Sequence, residues 1–292
     1  MNEPIGIHTI CYAPGMAANV DPAFLPFDVS ASPEVDRREI AHMLSFWRQG
    51  RHKDYAVSGL LSPRFTEKTG MSGRSFIDFI KSNPGYDVWL VNPFPQYHYI
   101  SFNIWEHGEF WHPGLSDRAN TLLTAAGLNL DVRTQPRSRP ETLLFSNCWA
   151  GTPAFWDRFM GDIEALVMAS STLPTMLDLA PYHLDKPAPY FPFFFERYLT
   201  TFLTQNSDLR VCPMKYSFDD TIRRCGSEIG YVFLNDWGPI IDRWDQIGVY
   251  SDPQRQIFTQ IQRFFGALLT WRHMKARAEA ELGMASRHSA FS

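Results

Sequence analysis

The chain alternates short, continuous apolar runs with longer segments in which apolar residues recur every three or four positions. Residues 5–12, 55–61 and 87–91 are such runs, and their pattern is typical of strands that are buried on both faces. Between the second and third runs, residues 72–82 have helical spacing, and Ser72 is the expected N-cap. This order predicts a parallel pair of strands joined by a right-handed crossover helix.

The same reading along the rest of the chain predicts further helices and strands. Helices are expected at 33–47, 116–126, 152–166 and 194–203 and from 252 towards 282, and strands at 143–148 and 209–216. The alternation indicates an α/β fold with an open, mostly parallel sheet flanked by helices. We expect one domain over residues 1–292, and a C-terminal helical lobe from about 185 is compatible with the Pro-rich residues 170–193.

Composition narrows the class of protein. The chain is 45% hydrophobic and 15% aromatic, which supports a large core and excludes a disordered chain. Its net charge of -4 argues against a nucleic-acid partner, because that function needs a clustered basic surface. A pocket for one diphosphate needs only two or three cations and remains compatible with this charge.

Cysteine usage and hydropathy indicate the compartment. The four cysteines form no CxxC pair, so we expect reduced, buried thiols and a cytoplasmic protein. The N-terminus lacks the basic and apolar regions of a signal peptide. The most apolar stretch, 190–203, contains Glu196 and Arg197 and is too short to span a bilayer. Its aromatic side chains are compatible with peripheral contact at the inner face of a membrane.

The loop at 62–70, SPRFTEKTG, follows a predicted strand and precedes a predicted helix. Ligands of open α/β sheets bind at this edge. Arg64 and Lys68 are therefore candidates for binding a diphosphate, Arg64 through its fork and Lys68 as a point charge. The alternative is a solvated loop with one salt bridge.

Two polar residues bracket the third apolar run. Asp87 precedes it and Asn92 follows it, so Asn92 lies at the end of the strand where ligands bind. Asp87 is either a ligand contact or a strand-start carboxylate that accepts nearby backbone hydrogen bonds.

The densest group of reactive side chains lies in residues 103–114, NIWEHGEFWHPG. Its glycines and proline argue against a long regular helix. Aromatic faces stack on sugars, and carboxylates and imidazoles act as general bases or metal ligands. Alternatively, each of these polar groups is buried and satisfied by its neighbours. The candidates for acid–base chemistry or ligand contact are Trp105, Glu106, His107, Glu109 and His112.

Residues 146–152 lead from a predicted strand into a helix N-terminus, a natural place for polar ligand contacts. Asn147 is the residue best suited to that role. Cys148 lacks any marked partner base, which argues against a nucleophilic thiol. Glu196, at the end of an aromatic run, is either a core residue paired with Arg197 or a catalytic carboxylate.

The stretches 55–70, 87–95, 103–115 and 146–160 together resemble uncharacterised proteins of bacterial polysaccharide loci that are treated as glycosyltransferases. The resemblance covers about the first 200 residues and implies a GT-A-like fold. It implies that Arg64 and Lys68 are donor-side candidates, that Asp87 is a degenerate metal or ribose contact, and that Asn147 and Trp149 are acceptor-side candidates. From their positions in the sequence, Asn92 is a further candidate for donor contact, and Trp105 and His112 are further candidates for acceptor contact.

The GT-A type carries an Asp-x-Asp motif that holds a divalent cation against the donor diphosphate. Here Asp87 has Trp89 where the second acid would stand, so the motif is degenerate. The resemblance therefore implies a Mn²⁺ or Mg²⁺ site at Asp87 that has one acid of the motif and lacks the other.

The sequence thus predicts transfer of a sugar from a nucleotide-sugar donor to a saccharide or lipid-linked acceptor in surface polysaccharide biosynthesis. In an inverting reaction a carboxylate must act as the base, and Glu106 or Glu109, assisted by His107, is the expected one. The alternatives are a non-catalytic carbohydrate- or nucleotide-binding protein and a hydrolase that uses the Glu/His cluster at 106–112. The leading hypothesis requires Arg64, Asp87 and residues 103–112 to share one pocket.

Overall fold

The computed structural model describes residues 4–31, 38–180 and 188–289. The helix predicted at 33–47 is present from Glu39 onward, and residues 33–37 lie outside the described part of the chain. The strands are β1 (Ile5–Cys11), β2 (Leu25–Asp28), β3 (Val57–Leu61), β4 (Val88–Leu90), β5 (Trp149–Gly151), β6 (Leu179–Ala180), β7 (Ala188–Pro189) and β8 (Val211–Pro213).

The helices fall between and after these strands. They are α1 (Glu39–Arg48), α2 (Phe65–Thr69), α3 (Gly73–Ser82), α4 (Tyr97–Ile100), α5 (Ile104–Trp111), α6 (Leu115–Ala125), α7 (Pro153–Ser170), α8 (Tyr190–Gln205), α9 (Phe218–Arg223), α10 (Glu228–Ile247) and α11 (Asp252–Ser289).

Six strands form one mixed sheet in the order β2-β1-β3-β5-β4-β8, and β6 and β7 form a separate two-stranded ladder. Five strands of the sheet run in the same direction, and β5 runs against both of its neighbours. The fold is therefore α/β with a mostly parallel sheet flanked by helices, as the alternation of elements predicted.

Side chains of successive strand residues point to opposite faces, so each face has its own core. Leu60 packs in the larger cluster, with α1 and α5 to α8, and Leu61 packs in the smaller one, with α2 and α3. Both faces are covered, which explains why β3 and β4 are apolar without alternation. Gly59 permits close strand contact, because a Cβ there would lie 3.1 Å from the carbonyl oxygen of Trp149.

Two helices begin where the sequence indicates. The Ser72 hydroxyl accepts the N–H of Ser75 at the start of α3. Thr152 accepts the N–H of Phe155, and Pro153 occupies the first position of α7. The capping residues in the sequence therefore predicted the starts of these two helices correctly.

Three predictions about the sheet and its connections are wrong. β3 and β4 run in the same direction but do not pair, because β5 lies between them. Residues 143–148 are not a strand, and the strand follows them at 149–151. The connection at 62–70 contains the short helix α2, and α10, which the sequence reading did not predict, occupies 228–247.

The C-terminal part of the chain divides between two cores. Helix α8 packs in the larger sheet core, so its aromatic side chains are buried and do not form a surface for membrane contact. Helices α9, α10 and α11 pack with residues 99–102 around a third cluster. Within the described residues, every helix is too short or too polar to cross a bilayer.

Candidate functional site

Most of the polar residues that could contact a ligand lie along one edge of the sheet, which is formed by the carboxyl ends of β1, β3, β4 and β8. From β1 the chain continues to β2 on one side, and from β3 it continues to β4 on the other side, so the strand order reverses between β1 and β3. In open α/β sheets ligands bind outside the carboxyl ends of the strands at such a reversal. Because β5 is antiparallel, the segment that enters it also reaches this edge.

A crevice of about 480 Å³ opens at the reversal point, and we call it the β1–β3 crevice. It is lined by Thr9 and Cys11 of β1, Asn19 of the following loop, and Ser62 and Thr66 after β3. Its volume lies in the range of small-molecule sites. Polar groups of β1, β3 and their connections therefore surround a space large enough for a nucleoside.

A second cavity, of about 180 Å³, lies between the starts of α1 and α8, the end of α2 and the segment that enters β5. Helix α2 connects it to the crevice, because Thr66 lines one and Lys68 the other. We call it the central cavity. Its polar lining residues are Arg38, Glu39, Lys68, Ser146, Asn147 and Glu196.

Backbone strain coincides with the central cavity. Among the residues that the structure describes, two that are not glycine have positive φ, Arg38 at 46° and Ser146 at 61°. Both line this cavity. Such conformations cost about 1–3 kcal/mol each and concentrate at functional sites. Their coincidence in one cavity marks it as the leading candidate for the active site.

The side chains of the central cavity are linked by hydrogen bonds. The ammonium of Lys68 donates to the Ser146 hydroxyl at 3.2 Å, and that hydroxyl donates to Oε1 of Glu196 at 3.3 Å. The amide of Asn147 donates to Oε2 of Glu39 at 3.0 Å. Within the described residues, Lys68 forms no ion pair with a carboxylate. The cavity thus combines two cations, two carboxylates and two neutral hydrogen-bonding side chains.

A third cavity, of about 340 Å³, lies at the carboxyl ends of β4 and β8, and we call it the β4–β8 cavity. Asn92 lines it, and Oδ1 of Asn92 accepts the N–H of Phe94 at 3.0 Å and of Phe145 at 3.4 Å. The segment from Leu143 to Asn147 runs from this cavity to the central one. The three spaces therefore follow one another along the same edge of the sheet.

The predicted donor residues are only partly brought together. Lys68 lines the central cavity and Asn92 the β4–β8 cavity. Arg64 follows β3 at the correct edge, but it is exposed and makes two hydrogen bonds to Glu67. Its role as a donor contact stays a prediction.

Asp87 lies away from the other donor candidates, because it precedes β4 at the opposite edge of the sheet. Oδ2 of Asp87 accepts the backbone N–H of Arg210 at 2.8 Å, and Oδ1 accepts from its guanidinium at 2.9 Å. Hydrogen bonds from Arg210 lower the pKa of Asp87. The structure thus shows Asp87 tying β4 to β8, and the predicted pocket that joins it to Arg64 is wrong.

Residues 104–111 form the eight-residue helix α5, which ends before Pro113 and Gly114, so the segment forms no long helix, as its glycines and proline predicted. Trp105 is buried and donates to Thr201 at 2.8 Å. Glu109 accepts the N–H groups of Gly114 and Ser116 at the start of α6. These contacts assign Trp105 and Glu109 to the interior and to helix capping rather than to a ligand.

The remaining acid–base candidates of α5 are also engaged. Glu106 accepts from Arg255 of α11 at 3.0 Å. His107 is buried against Tyr97, and burial lowers its pKa well below its ordinary value. His112 is buried, and its ring stacks on that of Phe193 with the two ring centres 3.5 Å apart. Phe193 in turn lines the central cavity. His112 therefore reaches the site only through Phe193.

The segment before and in β5 separates into two kinds of residue. Asn147 lines the central cavity, as an acceptor contact would. Trp149 is 1% exposed and packs against Phe155 and Trp156, so it cannot touch an acceptor and this prediction is wrong. Burial raises the pKa of the Cys148 thiol to about 12, which agrees with its rejection as a nucleophile.

One further group has the composition of a metal site. Donor atoms of His98, Asp242 and Asp245 lie within 4.8 Å of one another. However, Asp245 already accepts from Nε of Arg137 at 3.1 Å and lies 2.9 Å from Nε2 of His98. Because a guanidinium occupies the carboxylate, this group is a structural network that joins α4 to α10.

Comparison with known proteins identifies no family to which the chain is similar. No protein-family model, curated protein or solved structure matches the chain. The assignment of the site therefore rests on geometry alone. Sequence reasoning missed Arg38, Glu39 and Ser146, and only Ser146 carried a signal, since it begins the segment that enters a helix N-terminus.

Proposed function

We propose that the protein is a glycosyltransferase that uses a nucleotide-sugar donor and acts at the central cavity. The pocket that the sequence hypothesis required, with Arg64, Asp87 and residues 103–112 together, does not form, so the proposal rests on a different set of residues. The observation that best supports this proposal is the hydrogen-bonded group of Lys68, Ser146 and Glu196 beside the β1–β3 crevice. The crevice would hold the nucleoside and the central cavity the transferred sugar. The sheet is mostly parallel and its strand order reverses between β1 and β3. Both features support a GT-A-like arrangement and are shared by other open α/β folds.

The charges of the central cavity fit the two demands of glycosyl transfer. A departing nucleoside diphosphate needs cations, and Arg38 and Lys68 line the cavity. The acceptor hydroxyl needs a base, and Glu196 or Glu39 would supply a carboxylate. In the proposed inverting step the acceptor oxygen bonds to the anomeric carbon and its proton passes to the carboxylate. The bond from that carbon to the phosphate oxygen breaks, and the diphosphate leaves.

A divalent cation is not part of this proposal. The residue expected to hold Mn²⁺ or Mg²⁺, Asp87, is bonded to Arg210 at the other edge of the sheet. The carboxylates at the correct edge are engaged as well, because Glu196 lies 3.9 Å from the guanidinium of Arg197 and Glu39 accepts from a neutral amide. The residues therefore do not fit the expected metal centre, and the cations take over charge stabilisation.

Donor binding tests the proposal first. Thermal shifts are measured with UDP-, GDP-, CMP- and dTDP-sugars, and the best ligand is then titrated. Lys68→Met should weaken its binding about tenfold or more, because one charge-assisted contact contributes roughly 1.5–3 kcal/mol. Lys81→Met, a matched change in α3, should leave the dissociation constant unchanged. If none of the nucleotide sugars binds, or both variants behave alike, the proposal fails.

Turnover tests the base. With the best donor and a set of saccharide and lipid-linked acceptors, Glu196→Gln should retain donor binding and lower the rate at least a hundredfold. Donor binding without transfer to any acceptor would instead indicate a non-catalytic nucleotide- or carbohydrate-binding protein.

A second candidate function is acyl hydrolysis, favoured by the geometry of Ser146. Its hydroxyl lies between an amine and a carboxylate on a strained turn, and serine–lysine pairs act as nucleophilic catalysts. The Ser146 oxygen would bond to the acyl carbon of an ester while its proton passes to Glu196. The bond from that carbon to the alcohol oxygen would then break, and the alcohol would leave with that proton. Water would next add to the acyl carbon and give a proton to Glu196, the bond to Ser146 would break with return of that proton to its oxygen, and the acid would leave. A fluorophosphonate that adds to the intact protein but not to Ser146→Ala would favour hydrolysis; the absence of labelling would exclude it.

A further inference from the structure

The proposed function assigns the nucleoside to the β1–β3 crevice and the transferred sugar to the central cavity, and it leaves the β4–β8 cavity without a ligand. Its walls are largely apolar and include Leu90, Leu143, Met214 and Phe218. Its volume of about 340 Å³ falls within the range of small-molecule sites. An apolar cavity of this size favours a ligand with a ring or a hydrocarbon chain.

One cation marks the mouth of this cavity. Lys215 follows β8, is exposed, and within the described part of the chain forms no ion pair. Glu141 lies on the lining as well, and it is also exposed. An ammonium next to an apolar wall attracts an anionic group on an otherwise apolar ligand. The Glu141 carboxylate opposes that attraction and limits the affinity.

The cavity also lies next to the central cavity. Asn92 lines the β4–β8 cavity and accepts the N–H of Phe145, the residue before Ser146. The N–H of Val91 donates to the carbonyl of Cys148 at 2.9 Å, so the same segment is fixed on both sides of Ser146. A ligand held in the β4–β8 cavity would therefore lie against the segment that carries Ser146 into the central cavity.

We infer that the β4–β8 cavity binds a phosphate ester of an apolar alcohol, with the apolar part inside and the phosphate on Lys215. Its position makes this ligand the acceptor, or part of it, and that identity rests on the proposed function. The binding itself does not depend on the proposed function. An aromatic ring and an isoprenoid chain share this chemistry, and the experiment distinguishes them.

Binding is measured by isothermal titration with phenyl phosphate, geranyl phosphate, phenol and inorganic phosphate. At least one of the two esters should bind ten or more times as tightly as phenol and as inorganic phosphate, because only an ester satisfies both the walls and Lys215. The tighter ester identifies a ring or a chain. Equal affinities for inorganic phosphate and both esters would overturn the inference, because the apolar walls would then contribute nothing.

Three variants locate the ligand. Lys215→Gln should weaken ester binding about fivefold, as expected for a partly exposed ion pair, whereas the matched Lys81→Gln should not. Glu141→Gln should strengthen it about twofold, because the repelling carboxylate is removed. Met214→Trp should abolish it by filling the cavity, and circular dichroism checks that this variant is folded.

The outcomes separate this inference from the proposed function. If Lys215→Gln and Lys81→Gln bind the ester equally, the inference is overturned, even when nucleotide sugars bind elsewhere. If the ester binds in a Lys215-dependent way and no nucleotide sugar binds, the site stands and the glycosyltransferase proposal falls.

Discussion

The ammonium of Lys68 and the hydroxyl of Ser146 lie 3.2 Å apart although 78 positions separate them in the chain. Lys68 is carried there by α2, which follows β3, and Ser146 by the segment that enters β5. Because β3 and β5 pair directly, the two ends meet at the same edge. A pair formed in this way depends on strand direction, which no local pattern in the sequence reveals.

Strain at Ser146 predicts an unusual order of stabilities. Ser146→Ala and Ser146→Gly both remove the hydroxyl, but only alanine keeps a Cβ at a φ of 61°. We expect the glycine variant to have the larger free energy of unfolding, by about 0.5–1 kcal/mol, after the greater chain entropy of unfolded glycine is subtracted. Urea titration of both variants measures this, and an alanine variant of equal or greater stability would contradict it.

Asp87 should stabilise the fold without affecting donor binding. Asp87→Ala removes the hydrogen bonds to Arg210 and should lower the free energy of unfolding by about 1–2 kcal/mol at pH 7. Arg210 lowers the pKa of Asp87 below the ordinary 3.8, so this contribution is complete above that pH and is lost as the pH falls through the lower, native pKa. Urea titrations at pH 7, 4 and 3 measure the difference from wild type.

The control for Asp87 is Arg210→Met, which removes the guanidinium bonds but keeps the backbone N–H of residue 210 that donates to Asp87. It should therefore cost less than Asp87→Ala, and the double variant should lose little beyond Asp87→Ala. If Asp87→Ala instead abolished nucleotide-sugar binding while the fold survived, the donor role that the sequence suggested would be restored.

Glu109 should act as a helix cap and not as a base. Its carboxylate accepts the N–H groups of Gly114 and Ser116 at the positive end of α6. Glu109→Ala should therefore lower the free energy of unfolding by about 1–2 kcal/mol and leave catalysis unchanged. Glu106→Ala, which breaks a half-exposed ion pair with Arg255, should cost less than about 1 kcal/mol. Loss of turnover in a folded Glu109→Ala would refute the capping role.

Buried histidines predict that the protein loses stability in mild acid. Burial is the main cause that lowers the pKa of His8, His52, His98 and His107. Below about pH 6.5 the unfolded chain binds protons that the native chain does not, so the free energy of unfolding falls with the pH. His8→Leu should reduce this slope by up to about 1.4 kcal/mol per pH unit.

Urea titrations at pH 7.5, 6.5 and 5.5 measure that slope, which is independent of the absolute stability of the variant. His273→Leu, the same substitution at an exposed position of α11, is measured alongside as the matched control. A slope that is the same for wild type and His8→Leu would show that His8 titrates alike in both states.

Much of the fold could be predicted because its signals are local. Continuous apolar runs revealed β1, β3 and β4, and hydroxyl caps revealed α3 and α7. Residues 143–148 have a strand-like pattern, but two amides in the middle of the segment donate to side chains and not to a neighbouring strand. The N–H of Leu144 donates to Thr200, and that of Phe145 to Asn92. These long-range partners replace a strand ladder and cannot be read from the segment itself.

The candidate site was less accessible to prediction. Lys68 was found because it follows a predicted strand, and Asn147 because its segment leads into a helix N-terminus, whereas Glu39 lies at a helix start that resembles any other. Residues 103–112 were misjudged for a physical reason. A buried helix also needs polar partners for its tryptophan and for its neighbouring helix end, so a dense polar and aromatic composition does not distinguish an interior from a ligand site.

The reversed strand β5 has a mechanical consequence. Within the described strands, the β2-β1-β3 half of the sheet and the β4-β8 half are joined only through its three residues. The crevice belongs to the first half and the β4–β8 cavity to the second. β5 therefore acts as a spacer that sets the distance between the crevice and the β4–β8 cavity, and a change in its ladder would alter the alignment of these two spaces without changing the lining of either one.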